Sequence, residues 1–188
     1  MANVNLVRGL VPLREAGSGY ESGGVEMFSV PAADATALYI GDPVVKAGDA
    51  DAAGFATVTR AAAAGPITGV VEGFAPDGTN NMTGFRAAST AAYVLVRTQT
   101  QTMFEIQDTA GTITSADIGL NCSMTIAAGN AFTKRSGVVL DATTKAVTAT
   151  LPLKIMGLKP MVNNAFGAYA KVLVKINNST EANASVGL

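Results

Sequence analysis

Tyr93 to Asp108, Tyr-Val-Leu-Val-Arg-Thr-Gln-Thr-Gln-Thr-Met-Phe-Glu-Ile-Gln-Asp, is the stretch whose reading decides the fold. Two runs of β-forming residues flank a polar Thr/Gln segment, and they read as two neighbouring strands. In the first run Val94 and Val96 share one face, with Tyr93, Leu95 and Arg97 on the other. In the second, Phe104 and Ile106 oppose Met103, Glu105 and Gln107. This period of two is the mark of a half-buried sheet.

Working outward, the same pattern recurs at short spacing. Glu26 to Val30, Ala37 to Ile40, Val44-Val45 and Phe55 to Arg60 read as strands upstream, with Gly41-Asp42-Pro43 as a turn and Lys46 to Gly54 as a loop. Ile67 to Phe74 is a strand whose glycines suit a bulge, and Ala75 to Ala88 is a polar loop. Downstream, Thr114 to Gly119 reads as one helical turn. Cys122, Met124 and Ile126 alternate with Ser123, Thr125 and Ala127, which makes Cys122 a buried small hydrophobe. Val138 to Leu140, Ala146 to Thr150 and Leu151 to Met156 follow. The last run, Tyr169 to Asn177, places Ala170, Val172, Val174 and Ile176 inward and Lys171 and Lys175 outward. Around ten short strands with almost no helical periodicity predict an all-β fold, a jelly-roll-like β-sandwich or barrel.

Residues 1–24 read as a separate N-terminal arm and glycine-rich hinge, and residues 25–188 as a single β domain. The arm holds the apolar residues Leu6, Val7, Leu10, Val11 and Leu13, and Pro12 restricts it to an edge strand or an extended tail. Two readings stay open. The five residues bind a partner, a sister subunit or another protein, or the segment is the first strand of the same sheet.

Composition narrows the function classes. The chain has 188 residues and one cysteine, so no internal disulfide holds it, and a reducing compartment is expected. Neither a signal peptide nor a membrane-spanning run is evident, so export and membrane embedding are not expected. Thirteen Lys and Arg against 14 Asp and Glu, without a basic run, argue against nucleic acid as a partner. Charged residues are only 14% of the chain, where about 25% is usual. A surface so thinly charged is poorly protected against association, which predicts a protein covered in an assembly.

No catalytic arrangement is evident. There is no histidine, which excludes Ser-His-Asp and Cys-His catalysis and the common zinc and copper ligand sets. Phosphate-cradling glycine motifs are absent. Asp49-Ala50-Asp51-Ala52-Ala53-Gly54 begins like a calcium loop, but Ala53 at the fifth position and Arg60 at the twelfth break the pattern, leaving a solvated hairpin loop. Glu72, Glu105 and Asp108 are the candidates for a carboxylate pair, with outward strand positions as the plainer account. The Asn-x-Ser/Thr triplets at Asn81, Asn121, Asn177, Asn178 and Asn183 reflect an Asn- and Thr-rich composition. The chain is expected to be no enzyme and to need no cofactor or metal.

Leu38-Tyr39-Ile40-Gly41-Asp42-Pro43-Val44-Val45, Gly65 to Phe74, Tyr93 to Val96 with Met103 to Gln107, Leu153 to Leu158 with Asn163-Asn164, and Ala170 to Asn177 form a combination that resembles the head decoration, or cement, proteins of tailed bacteriophages. The resemblance spans about Tyr39 to Asn178 and carries no catalytic residue. It implies a virion structural protein, assembled in the host cytoplasm, that binds the outer surface of the head and stabilises contacts between major capsid protein subunits. Its partners would be the major capsid protein and further copies of itself, with a trimer favoured and a dimer the alternative. A tail or fibre component of the virion is the rival expectation. A carbohydrate-binding β-sandwich is poorly supported, because such sites use aromatic platforms and this chain has no Trp and 4 Tyr.

Overall fold

A computed structural model of the chain describes residues 3–15, 24–76, 83–109 and 111–182. Most of the glycine-rich connector and the asparagine triplets at Asn81 and Asn183 lie outside the described residues. The architecture is all-β. Thirteen strands are described: β1 (Val11–Glu15), β2 (Val25–Val30), β3 (Leu38–Tyr39), β4 (Pro43–Ala50), β5 (Ala56–Arg60), β6 (Gly69–Phe74), β7 (Phe85–Arg86), β8 (Ala92–Arg97), β9 (Thr102–Gln107), β10 (Asn121–Thr125), β11 (Val139–Ala146), β12 (Leu153–Leu158) and β13 (Lys171–Ile176). The one helical turn expected after Thr114 is a short 3-10 segment, Ser115–Asp117.

The strands form two main layers. Five of them close a barrel in the order β2-β5-β4-β6-β8, and six build an open sheet in the order β1-β9-β13-β12-β10-β11. Closure rests on one parallel contact, Ser29 opposite Thr57, between β2 and β5. The barrel interior is filled by Phe28, Val30, Val44, Val58, Val71, Val94 and Val96. Phe104, Ile106, Cys122, Met124, Leu140, Leu153, Ile155 and Val172 make the inner face of the sheet. Strand β6 serves both cores. Val71 points into the barrel while Val70, one residue earlier, joins the sheet's core. Its pairing with β8 slips between Val71 and Gly73, a bulge where the glycine spacing called for one.

The two runs of the deciding stretch are both strands, with Val94 and Val96 inward in one and Phe104 and Ile106 inward in the other. They are not partners. β8 pairs with β2 and β6 in the barrel, and β9 with β1 and β13 in the sheet. The Thr/Gln segment between them carries the chain from one layer to the other, because both edges of each strand are already occupied. The second face of β9 also departs from expectation. Met103, Glu105 and Gln107 are buried instead of facing water.

What covers that face is the N-terminal segment. β1 pairs antiparallel with β9, Val11 opposite Glu105 and Arg14 opposite Met103, with an irregularity at Pro12 to Arg14. Leu10 is fully buried in the sheet's core. The chain enters there through a close approach of two glycines. Gly9 (φ +70°) and Gly41 (φ +95°) both take left-handed conformations, and a Cβ on Gly9 would sit 2.5 Å from the Gly41 oxygen, as a Cβ on Gly41 would from the Arg8 oxygen. The Gly41 oxygen accepts the Leu10 amide at 3.0 Å. Beside it Asp42, wholly buried, accepts the Tyr39 amide at 2.8 Å and the Ser136 hydroxyl at 2.5 Å. Burial pushes its carboxyl up, against the lowering effect of those bonds.

Candidate functional site

The outer face of the sheet carries a polar network built on β9 and β13. Glu105, only 4% exposed, sits at its centre. One carboxylate oxygen accepts Arg8 Nη2 at 2.7 Å and the other accepts Lys159 Nζ. Two residues along β9, Gln107 Oε1 accepts the Leu6 amide at 2.7 Å, while Gln107 Nε2 donates to Asn5 Oδ1 at 2.8 Å. Lys171, expected to face water, is instead 6% exposed, and its ammonium donates to the Val4 oxygen at 2.9 Å and to Gln107 Oε1 at 3.3 Å. Residues 3–8 therefore lie as a strap across β9 and β13. Burial raises the Glu105 carboxyl, but the hydrogen bonds and charges of Lys159 and Arg8 outweigh it and hold the group below its ordinary value. Burial likewise lowers Lys171, with Glu105 opposing and Arg8 and Lys159 adding to the shift.

The strap is joined at its start to the loop between β12 and β13. Asn3 Nδ2 donates to the oxygens of Ala165 and Ala168 at 2.9 and 2.8 Å, and Asn3 Oδ1 accepts the Ala165 amide at 2.9 Å. Within the loop, Asn164 bonds the backbone of Lys159 and Lys171 at both ends. Asn163 and Tyr169 take positive φ values of 62° and 60°. For a bulky residue such as Tyr169 that conformation is strained, and the surrounding bonds must hold it. This fixed loop leaves large apolar side chains on solvent. Val162 is 83% exposed, Met161 48% and Phe166 41%, beside Val4 at 66% on the strap. Val4, Met161 and Val162 share one shallow hollow of about 110 Å³ with Lys171.

A second exposed apolar tip stands elsewhere. Phe132, 94% exposed, caps a turn in which Asn130 Oδ1 accepts the amides of Phe132 and Thr133. The neighbouring Lys134 lies over the Phe85 ring at 4.5 Å, and Phe85 stacks on Tyr39 at 5.1 Å.

The five apolar residues predicted to bind a partner differ in burial. Leu10 is spent in the core, Val7, Val11 and Leu13 are half-buried, and Leu6 is exposed. Val4, Met161, Val162 and Phe166 were not singled out. Their signal in the sequence is weak, since isolated apolar residues in a loop carry no period, and only Asn163-Asn164 marks the turn that presents them.

The remaining candidates each have a structural assignment. Asp51 Oδ1 accepts the amides of Ala53 and Phe55 at 2.9 Å each, so the calcium-like segment is the end of β4 and the β4–β5 hairpin loop, the strand running on to Ala50 through the first half of the expected loop; Asp49 is engaged by the Thr57 hydroxyl. Asp49, Asp51 and Tyr93 border an open hollow of about 610 Å³ at the barrel end. Glu72 pairs with Arg97 on the barrel, and Asp108 accepts the Gly111 amide at the end of β9. The three carboxylates thus lie in two layers, each with its own partner. Cys122 is fully buried, and its thiol is pushed up to about 12, first by burial and then by Asp108 and Asp141. Among the described residues no group of three or more Cys, Asp or Glu side chains is placed to hold a metal ion. No family model, curated protein or solved structure matches the chain.

Proposed function

We propose that the protein is a structural component of a tailed-phage virion that binds the outer surface of the head and stabilises contacts between major capsid protein subunits, without a catalytic role. The observation that carries this reading is the exposure of large apolar side chains on loops held rigid by side-chain to backbone bonds. A monomer gains nothing by fixing Val162 and Phe132 in water. A protein that binds many identical neighbours gains preformed contact points, because loops already ordered lose less entropy on association. The low charged fraction and the resemblance to head decoration proteins support the same reading. In it the protein self-associates, as a trimer at local three-fold axes or as a dimer at two-fold axes.

The reading is tested by mixing the purified protein with bare shells of the major capsid protein of the same virus and pelleting the shells. Saturable binding at a fixed ratio of copies per capsid subunit is expected. Protein that stays in the supernatant at micromolar concentration contradicts it.

A further inference from the structure

The outer face of the sheet is basic as well as fringed by apolar side chains. Residues paired across antiparallel strands point to the same side, so the register places Arg14 beside Met103, Met103 beside Lys175 and Lys175 beside Lys154 on the face away from the core. Lys171 lies on that face, opposite Gln107, and Arg8 and Lys159 reach it from the strap and the 159–170 loop. Six cations therefore gather over β1, β9, β13 and β12. Among the described side chains of these four strands, Glu105 is the one carboxylate on the same face. Such asymmetry on a chain of net charge −1 has a consequence for association. Lys154 and Lys175 stand directly opposite each other, a like-charged arrangement that favours an anionic partner between them.

From this geometry we propose that the outer face over β1, β9, β13 and β12, with its rim of Val4, Met161 and Val162, is the docking surface for an acidic protein surface; resting on the reading above, that surface is the exterior of the capsid shell. A second copy meeting this face about a two-fold axis would set cations against their own images, which works against a self-interface here. A nucleic acid fits less well than a protein. Lys171 is buried, Arg8 and Lys159 are engaged by Glu105, and the rim offers methionine and aliphatic side chains of the kind that fill the centres of protein interfaces.

The test uses full-length protein and bare shells of the major capsid protein. Two variants probe the face, the charge reversal Lys154→Glu/Lys175→Glu and the rim change Val162→Asp. Val147→Asp, at an exposed residue between β11 and β12, is the control. All four positions are partly or largely exposed, so circular dichroism and melting should match wild type. Both face variants should bind shells at least tenfold more weakly, and the control should bind as wild type. Wild-type affinity should also fall at least tenfold between 50 and 300 mM NaCl. Face variants that bind like wild type overturn this docking surface while the capsid reading stands. Wild-type protein that leaves the shells bare overturns both. A wild-type oligomer that dissociates in the charge-reversed variant by sedimentation velocity makes a second copy the occupant. Binding to a DNA oligonucleotide at 150 mM NaCl that the charge reversal abolishes makes it a nucleic acid. Either result overturns the proposal.

Discussion

Leu10→Ala is expected to lower the stability of the isolated protein by about 3 kcal/mol, within the roughly 2–5 kcal/mol range for a buried leucine truncated in a packed core. Leu10 has no exposed surface and lies in the core cluster that contains Ile67, Phe104 and Ile106. Leu6→Ala, four residues earlier and 52% exposed, should change stability by no more than about 0.5 kcal/mol. Urea denaturation of the two variants beside wild type checks the contrast. The pair of results divides the N-terminal segment into a part that belongs to the fold and a part that faces outward. A near-neutral Leu10→Ala would mean that the segment packs on another chain and that its pairing with β9 does not form in solution. The same logic applies to deletion of residues 2–13. That deletion removes Leu10, strips Arg8 from Glu105 and bares the edge of β9, so it should unfold or severely destabilise the protein before any effect on assembly can be read.

Glu105→Gln is the second large effect. The substitution keeps the shape but removes the one carboxylate that the described residues place among Arg8, Lys159 and Lys171, leaving three cations close together with part of their solvation lost. Breaking a fully buried ion pair costs about 3–5 kcal/mol. Arg8 and Lys159 retain 37% and 24% side-chain exposure, so the expected loss here is smaller, about 2–3 kcal/mol. The pH dependence has a definite sign. Because the folded carboxyl lies below its unfolded value, its contribution is fully present above the ordinary carboxylate range and is lost as pH falls through the folded value. The stability difference between wild type and Glu105→Gln, measured by urea denaturation from pH 7 down to pH 3, should therefore shrink on acidification. A difference that stays constant or grows would show that Glu105 is not held charged by this network.

Much of the fold was legible because alternation records which face is buried. Val94 with Val96, Phe104 with Ile106, Cys122 with Met124, and Val172 with Val174 and Ile176 all occupy the inner positions that a period of two assigned them. Pairing partners were not legible. β8 and β9 read as neighbours since only a short polar segment divides them, but which strands take their edges depends on residues far off in the chain. β11 runs on from the segment read as Val138 to Leu140, because Asp141 and Thr143 interrupt the apolar pattern of a strand paired along one side; of the run read at Ala146 to Thr150 only Ala146 belongs to it, and residues 147–150 are not strand.

The candidate site was harder still. Glu105, Gln107 and Lys171 carry polar side chains that alternation sends to water, and nothing in their own neighbourhood says that residues 3–8 will cover them. The cations of the basic face stand at positions 8, 14, 154, 159, 171 and 175, dispersed enough that no basic run appears. Only the strand register gathers them. The apolar rim has the same origin. Val4 and Val162 are distant in sequence and meet because Asn3 ties the strap to the 165–168 backbone.

The measurement that bears most directly on the capsid assignment is electron cryomicroscopy of the virion with this chain located in the density. The account predicts thirteen-strand bodies at regular positions on the outside of the head, each bridging neighbouring capsid subunits with the basic face of the sheet toward the shell. Density confined to the tail or its fibres, or absent from the head exterior while the protein is present in the particle, would contradict it.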